Sequence, residues 1–138
     1  MGHIVRFGIS LDKDLLEEFD QKLAQRQYGN RSEAIRDLIR DDFVKKQWQH
    51  DRRVAGAITL VYDHHRRQLL NHLMHIQHDH QPLILSTQHV HLDHHNCLEV
   101  IIVRGKSSAV QKLYWEIKST KDVRHAGFAM ATTGKGVV

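Results

Sequence analysis

Val5, Phe7, Ile9 and Leu11 alternate with Arg6, Gly8 and Ser10, and no second stretch of that period occurs before position 54. Alternation with period two marks a strand with one buried face, and a lone strand is not independently stable. The chain is therefore expected to pair this strand with the same strand of a second subunit. Arg6, Gly8 and Ser10 form the polar face. A ribbon of two such strands is narrow enough for the major groove of DNA, which makes these three residues candidate DNA contacts. Their plainer reading is a solvated strand face.

Two helices follow the strand. Asp12 is placed as an N-cap, with Asp14, Glu17 and Glu18 near the positive end of the helix dipole and Leu15, Leu16, Phe19 and Leu23 as the apolar stripe. Tyr28-Gly29 ends that helix, with Gly29 expected in a left-handed C′ position. Asn30 and Glu33 have the spacing of a capping box opening a second helix, with Ile35, Leu38, Ile39 and Phe43 facing inward. Arg31 and Ser32 lie at its start, where free amides and the dipole favour a phosphate. Residues 1–50 hold nine Lys/Arg and nine Asp/Glu. Any nucleic-acid contact must therefore come from the placement of charge rather than its sum. Residues 1–48 are expected to form one domain, and 49–53, within the polar Gln47 to Arg53, a linker.

From Val54 the pattern changes. Val54 to Tyr62 reads as a strand, and Asp63 to about Gln77 as a helix with Leu69, Leu70, Leu73 and Ile76 apolar. Leu83 to Leu92 and Cys97 to Val103 read as a hairpin. Arg104-Gly105 then turns into a helix capped by Ser107 or Ser108, and Val123 to Ala131 is a last strand. The order βαββαβ is that of a ferredoxin-like split unit over 54–131, with 132–138 a loose tail. The fold class is thus α+β.

Ten histidines lie between His64 and His95, and Cys97 is the only cysteine. His89 and His91 are two apart on one strand and so share a face. Cys97 joins them if His91 pairs across from it, which needs an odd-length loop or a bulge. With His78 upstream, three nitrogens and a thiolate make a four-ligand metal set. Tetrahedral nitrogen–sulfur sites suit zinc and square-planar ones nickel(II) or copper(II), and the residues alone leave that choice open. Glu99, on the face of Cys97, is a candidate acceptor orienting a ligand imidazole, and Tyr62 and His64 are placed beside it. The other histidines read mostly as exposed. With four protein ligands no coordination position is left for substrate, unlike catalytic zinc, so an enzyme is not expected. A DNA-binding regulator answering zinc or copper, a zinc hydrolase using Glu99, and a metal store with several weak sites are the rival readings. One cysteine makes no internal disulfide and fits a reducing cytoplasm. No apolar run approaches the roughly 20 residues of a membrane span, and MGHIVRF has no signal-peptide core.

SLDKDLLEEFDQKL followed by YGNRSEAIRDLIR resembles a ribbon-helix-helix DNA-binding domain. Joined to HVHLDHHNCLEV, it resembles the nickel-responsive transcriptional regulators from about Arg6 to Ala131. The resemblance implies a high-affinity Ni(II) site, one per chain, of His89, His91 and Cys97 with His78 of another subunit. It implies a homotetramer in which two DNA-binding dimers flank a core of ACT-like domains. It further implies a palindromic double-stranded operator read by Arg6, Gly8 and Ser10, and a cation site between domain types using Glu33 and Asp37. Gly8 stands where the family commonly has a hydroxyl side chain, which implies a different operator preference. The histidine run after His78 is broken to HDHQP, while the four primary ligand positions are intact.

Overall fold

The computed structural model describes residues 2–138, which fall into two compact units divided between Asp41 and Asp42. In the first unit, the described residues before helix α1 (Lys13–Gln25) form neither helix nor strand and have no strand partner among the described residues. Its apolar residues stand in the open: Val5 is 80% exposed and Phe7 72%. The α1 and α2 stripes are also largely uncovered, with Leu15, Leu38 and Ile39 exposed and, among the described residues of this unit, only Leu23 and Ala34 buried.

The helix ends differ from expectation in detail. Asp12 has the extended backbone of an N-cap, but its side chain makes no capping hydrogen bond; its carbonyl accepts from the Leu16 amide at 3.0 Å. The left-handed residue after α1 is Gln27, at φ 59°, and not Gly29. The Tyr28 amide donates to the Leu23 carbonyl (3.1 Å) and the Gln27 amide to that of Ala24 (3.3 Å), closing a Schellman turn two residues earlier than Gly29. Helix α2 (Arg31–Gln49) begins with the capping box: Asn30 Oδ1 accepts the Glu33 amide at 2.9 Å, and Glu33 Oε2 reaches back to the Gly29 amide at 3.2 Å. A Cβ on Gly29 would meet that carboxylate at 3.2 Å, so close approach is what glycine permits there.

The second unit is a four-stranded antiparallel sheet in the order β2-β3-β1-β4, formed by β1 (Arg53–Asp63), β2 (Ile84–His91), β3 (Asn96–Lys106) and β4 (His125–Met130). Helices α3 (Arg67–Asp79) and α4 (Ser107–Lys118) complete the βαββαβ order, with a 3₁₀ turn at Gln81–Leu83. Strict alternation buries Val54, Ile58, Leu60 and Tyr62 of β1 with Cys97, Glu99, Ile101 and Val103 of β3. Leu69, Leu73 and Ile76 of α3 and Val110, Leu113 and Ile117 of α4 join the same core.

Three expectations are corrected in this unit. Helix α3 starts at Arg67 rather than Asp63, because the Asp63 side chain accepts the His65 amide (3.0 Å) and holds a turn. Strand β3 runs through Arg104-Gly105 to Lys106, so those residues do not turn. Neither serine caps α4. The Ser107 hydroxyl is buried and donates to the Trp48 carbonyl at 2.7 Å, while the cap acceptor for the Ser108 amide is Asp51 Oδ1 at 2.9 Å. Of residues 49–53, Gln49 still belongs to α2 and Arg53 opens β1. Trp48 is buried, its ring edge-on to Phe128 at 5.2 Å and its Nε1 donating to the Ala131 carbonyl at 2.9 Å. The tail is tied down by Gln47, whose amide donates to the Lys135 carbonyl and accepts from Thr132, each at 2.8 Å.

Candidate metal centre

Register is what assembles this site. His91 pairs directly with Cys97, and His89 with Glu99, across β2 and β3. Five residues, 92–96, separate His91 from Cys97, which is the odd count that a shared face requires. On the other side of β3, Cys97 faces Tyr62 of β1. His89, His91, Cys97, Glu99 and Tyr62 therefore share one sheet face.

The turn between the strands is braced. Asp93 accepts from the amides of His95 and Asn96, each at 2.8 Å, and from the Asn96 side chain at 2.8 Å. The Asn96 side chain, then these amides, hold the Asp93 carboxyl down at about 2.

Behind the imidazoles lies a buried polar network. Glu99 is 1% exposed. Its Oε2 accepts the Tyr62 hydroxyl and its Oε1 the Gln77 side-chain amide, both at 2.9 Å. His89 Nδ1 lies 3.3 Å from the Tyr62 hydroxyl and its Nε2 3.3 Å from Glu99 Oε1. Burial, and then the charge of Glu99, push the Tyr62 phenol well above its ordinary value, so it stays a hydrogen-bond donor. Gln77 was legible only as a helix end. Its spacing from Leu69, Leu73 and Ile76 does put it on the buried stripe.

The His91 ring stacks on that of His64, with centroids 4.4 Å apart and planes 2° from parallel. His64 Nε2 is buried without a hydrogen-bond partner among the described residues. Cys97 is a free, buried thiol. Imidazoles and a thiol in this pattern fit a borderline-soft transition metal rather than an oxygen-seeking ion. Their donors, however, do not stand within 4.8 Å of one another; among the described residues the only three that do are Asp63, His65 and His95. His78 is not brought to the other three. It is exposed near the end of α3, where it lines a shallow cavity of about 340 Å³ with Asn71, Met74 and His75.

In the first unit Arg6 and Ser32 line one cavity of about 680 Å³ with Val5, Phe7, Ile9 and Ile39. Gly8 and Ser10 are exposed on the segment before α1. Arg31 is already engaged: its guanidinium makes a two-pronged pair with Asp20, at 2.9 and 2.8 Å. Glu33 and Asp37 each have partners in their own unit. Glu33 holds the Gly29 amide, and Asp37 accepts the Tyr28 hydroxyl at 2.9 Å.

Residues 55–131 match the family described as NikR C terminal nickel binding domain, and residues 5–43 match the ribbon-helix-helix proteins of the copG family. Similar proteins include one from Syntrophus aciditrophicus, 53% identical over 98% of each chain, and one from Chlorobium limicola, 52% identical over 97% of this chain and all of the other. Both are described as nickel-responsive regulators. The sheet-and-helix fold is shared with an uncharacterized protein of Thermotoga maritima (TM-score 0.51, 11% identity, 56% of this chain and 96% of the other). A ribbon-helix-helix module joined to a nickel-binding domain defines a DNA-binding regulator and not an enzyme. The chain belongs to the family of nickel-responsive transcriptional regulators. No helix among the described residues is long and apolar enough to cross a membrane.

Proposed function

We propose that this chain is a cytoplasmic repressor of nickel uptake genes that binds a palindromic operator as a homotetramer. One Ni(II) per chain is held by His89, His91 and Cys97 of one subunit and His78 of another. The observation that carries this reading is the pairing of His91 with Cys97, with His89 and Glu99 directly behind them. An exposed His78 on a helix that does not reach the other three fits a ligand given across an interface. Nickel supplies the bond between subunits; the protein residues supply its selectivity and its orientation. Glu99, held by Tyr62 and Gln77, fixes the His89 ring.

The open apolar faces of the first unit support a dimeric ribbon. A second copy would cover Val5, Phe7 and Ile9 and set Arg6, Gly8 and Ser10 toward DNA. Arg31, paired with Asp20 on the surface, and Ser32, with the amides of the α2 N-terminus, are assigned to the phosphate contact. Glu33 and Asp37, one turn apart on α2, are assigned to a cation between the two kinds of domain.

Metal binding and DNA binding are then linked through the quaternary arrangement. Coupling of about 1–3 kcal/mol would change DNA affinity roughly 5- to 150-fold. By reciprocity, saturating operator should tighten nickel binding by the same factor. The test is a nickel titration with and without operator, and an unchanged nickel affinity would rule the coupling out.

Two substitutions sharpen the reading. Glu99→Gln replaces an acceptor of two hydrogen bonds by a group that must present a donor to one partner. Nickel affinity is expected to fall about 10- to 100-fold while operator recognition by the nickel-loaded form persists, as measured by competition against a chelator. Arg6→Ala is expected to lose about 1–3 kcal/mol of discrimination between operator and a single-base variant. Equal weakening on every sequence would instead make Arg6 a phosphate contact.

A further inference from the structure

Building on the reading of His78 as a ligand given across an interface, we infer that His80 and Glu116 are positioning residues for nickel. Their hydrogen bond pins the end of α3 to α4 and so fixes where His78 is offered. His80 Nε2 donates to Glu116 Oε2 at 2.9 Å, and the His80 side chain is 16% exposed. A hydrogen bond to a carboxylate is roughly twice as strong as one between neutral groups. His80 follows the last residue of α3 and belongs to both sides of the bend there. Its amide donates to the Ile76 carbonyl at 3.2 Å, and its carbonyl accepts the Leu83 amide at 2.9 Å. The bend leads from the helix of His78 into β2, the strand of His89 and His91. One side chain thus anchors the joint between three of the four proposed ligands.

Past Ile76, apolar packing gives out, because α3 ends in Gln77, His78 and Asp79. A cavity of about 580 Å³, lined by His72 and Ile76 of α3 and Glu116 of α4, parts the two helices beside that end. Helix ends with few buried contacts fray. Two side chains hold this one, from either side of His78 in sequence. Gln77 donates to Glu99 on β3, and His80 donates to Glu116 on α4, both at 2.9 Å. His78 between them is exposed, on a backbone held at two points. A metal–nitrogen bond, about 2.0–2.1 Å for zinc, leaves a ligand little room to wander. A frayed turn would have to be ordered as nickel binds, and that ordering costs affinity. Glu116 has no such use within its own helix. It stands in the last turn of α4, at the negative end of the dipole, where an acid does nothing for helix stability.

The test is a double-mutant cycle on the full reduced chain. Nickel affinity is read by competition against a chelator, and the thiolate charge-transfer band by absorption. Glu116→Ala should lower nickel affinity about tenfold, the lower end of what removing a group that supports a ligand costs. The thiolate band should stay, because Cys97 is untouched. Glu116→Gln keeps an acceptor for the His80 ring and should recover most of the affinity. In a His78→Ala background, Glu116→Ala should cost nothing further, because no ligand is left there to position. A loss equal in both backgrounds would make the pair a general prop of the fold and overturn the proposal. Wild-type affinity in Glu116→Ala would overturn it as well. Failure of the ligand reading shows separately, because His78→Ala alone would then keep wild-type nickel affinity and remove both. Should Glu116→Ala fold poorly by circular dichroism, His80→Ala replaces it in the cycle, and the same outcomes decide.

Discussion

A Cys97→Ser variant is expected to lose tight nickel binding, with affinity falling by more than about a hundredfold, beyond the loss that follows removal of residues merely supporting a ligand. The reason is chemical rather than steric. Cys97 is the only thiol in the chain, and a hydroxyl in its place is a far poorer donor to nickel at neutral pH. The side chain is 1% exposed and close to serine in size, so the sheet should persist, as circular dichroism would show. Absorption spectroscopy is the direct readout, because a thiolate-to-nickel band present in wild type should vanish. Retention of wild-type nickel affinity would remove Cys97, and the register argument with it, from the site.

Phe7→Asp is expected to abolish specific operator binding while leaving nickel binding intact. Phe7 is 72% exposed in the single chain, and two copies of the ribbon would bring two such aspartates into an apolar seam. Specific affinity generally exceeds non-specific affinity by at least roughly 10³-fold. A loss of that order, seen by fluorescence anisotropy with nickel present, is the expected result. The ligands lie in the other unit, so the nickel titration should not change. Operator affinity equal to wild type would mean that the alternating segment is not the seam of a dimer.

The sequence made the site's main geometry legible because period two is unforgiving. Once His89 and His91 lay on one strand, a one-residue slip would have sent both to the wrong face, and Cys97 could join them only through an odd loop or a bulge. The βαββαβ order followed from the same changes of period. What escaped were interactions between residues distant in sequence. Nothing near Ser108 says that its amide is capped by Asp51, and nothing near Gln77 says that it holds Glu99. The end of α1 shows a different limit. Gly29 is the obvious left-handed residue, yet the apolar spacing of the helix closed the turn at Gln27, and glycine was used instead to let Glu33 approach. Nor does anything near Arg31 say that Asp20, one helix away, pairs with its guanidinium.

The burial of Trp48 bears on how this protein can be dissected. A fragment begun at the first strand of the regulatory unit would keep every proposed metal ligand and still be hollow. It would lack the indole that packs on Phe128, and it would strand the Ser107 hydroxyl and the Ala131 carbonyl, which both bond to Trp48. Leaving the buried Ser107 hydroxyl without its acceptor costs about 1–3 kcal/mol, a large share of a small domain's marginal stability. The second compact unit starts at residue 42, inside the long helix, so the final turns of that helix belong with the sheet and not with the first unit.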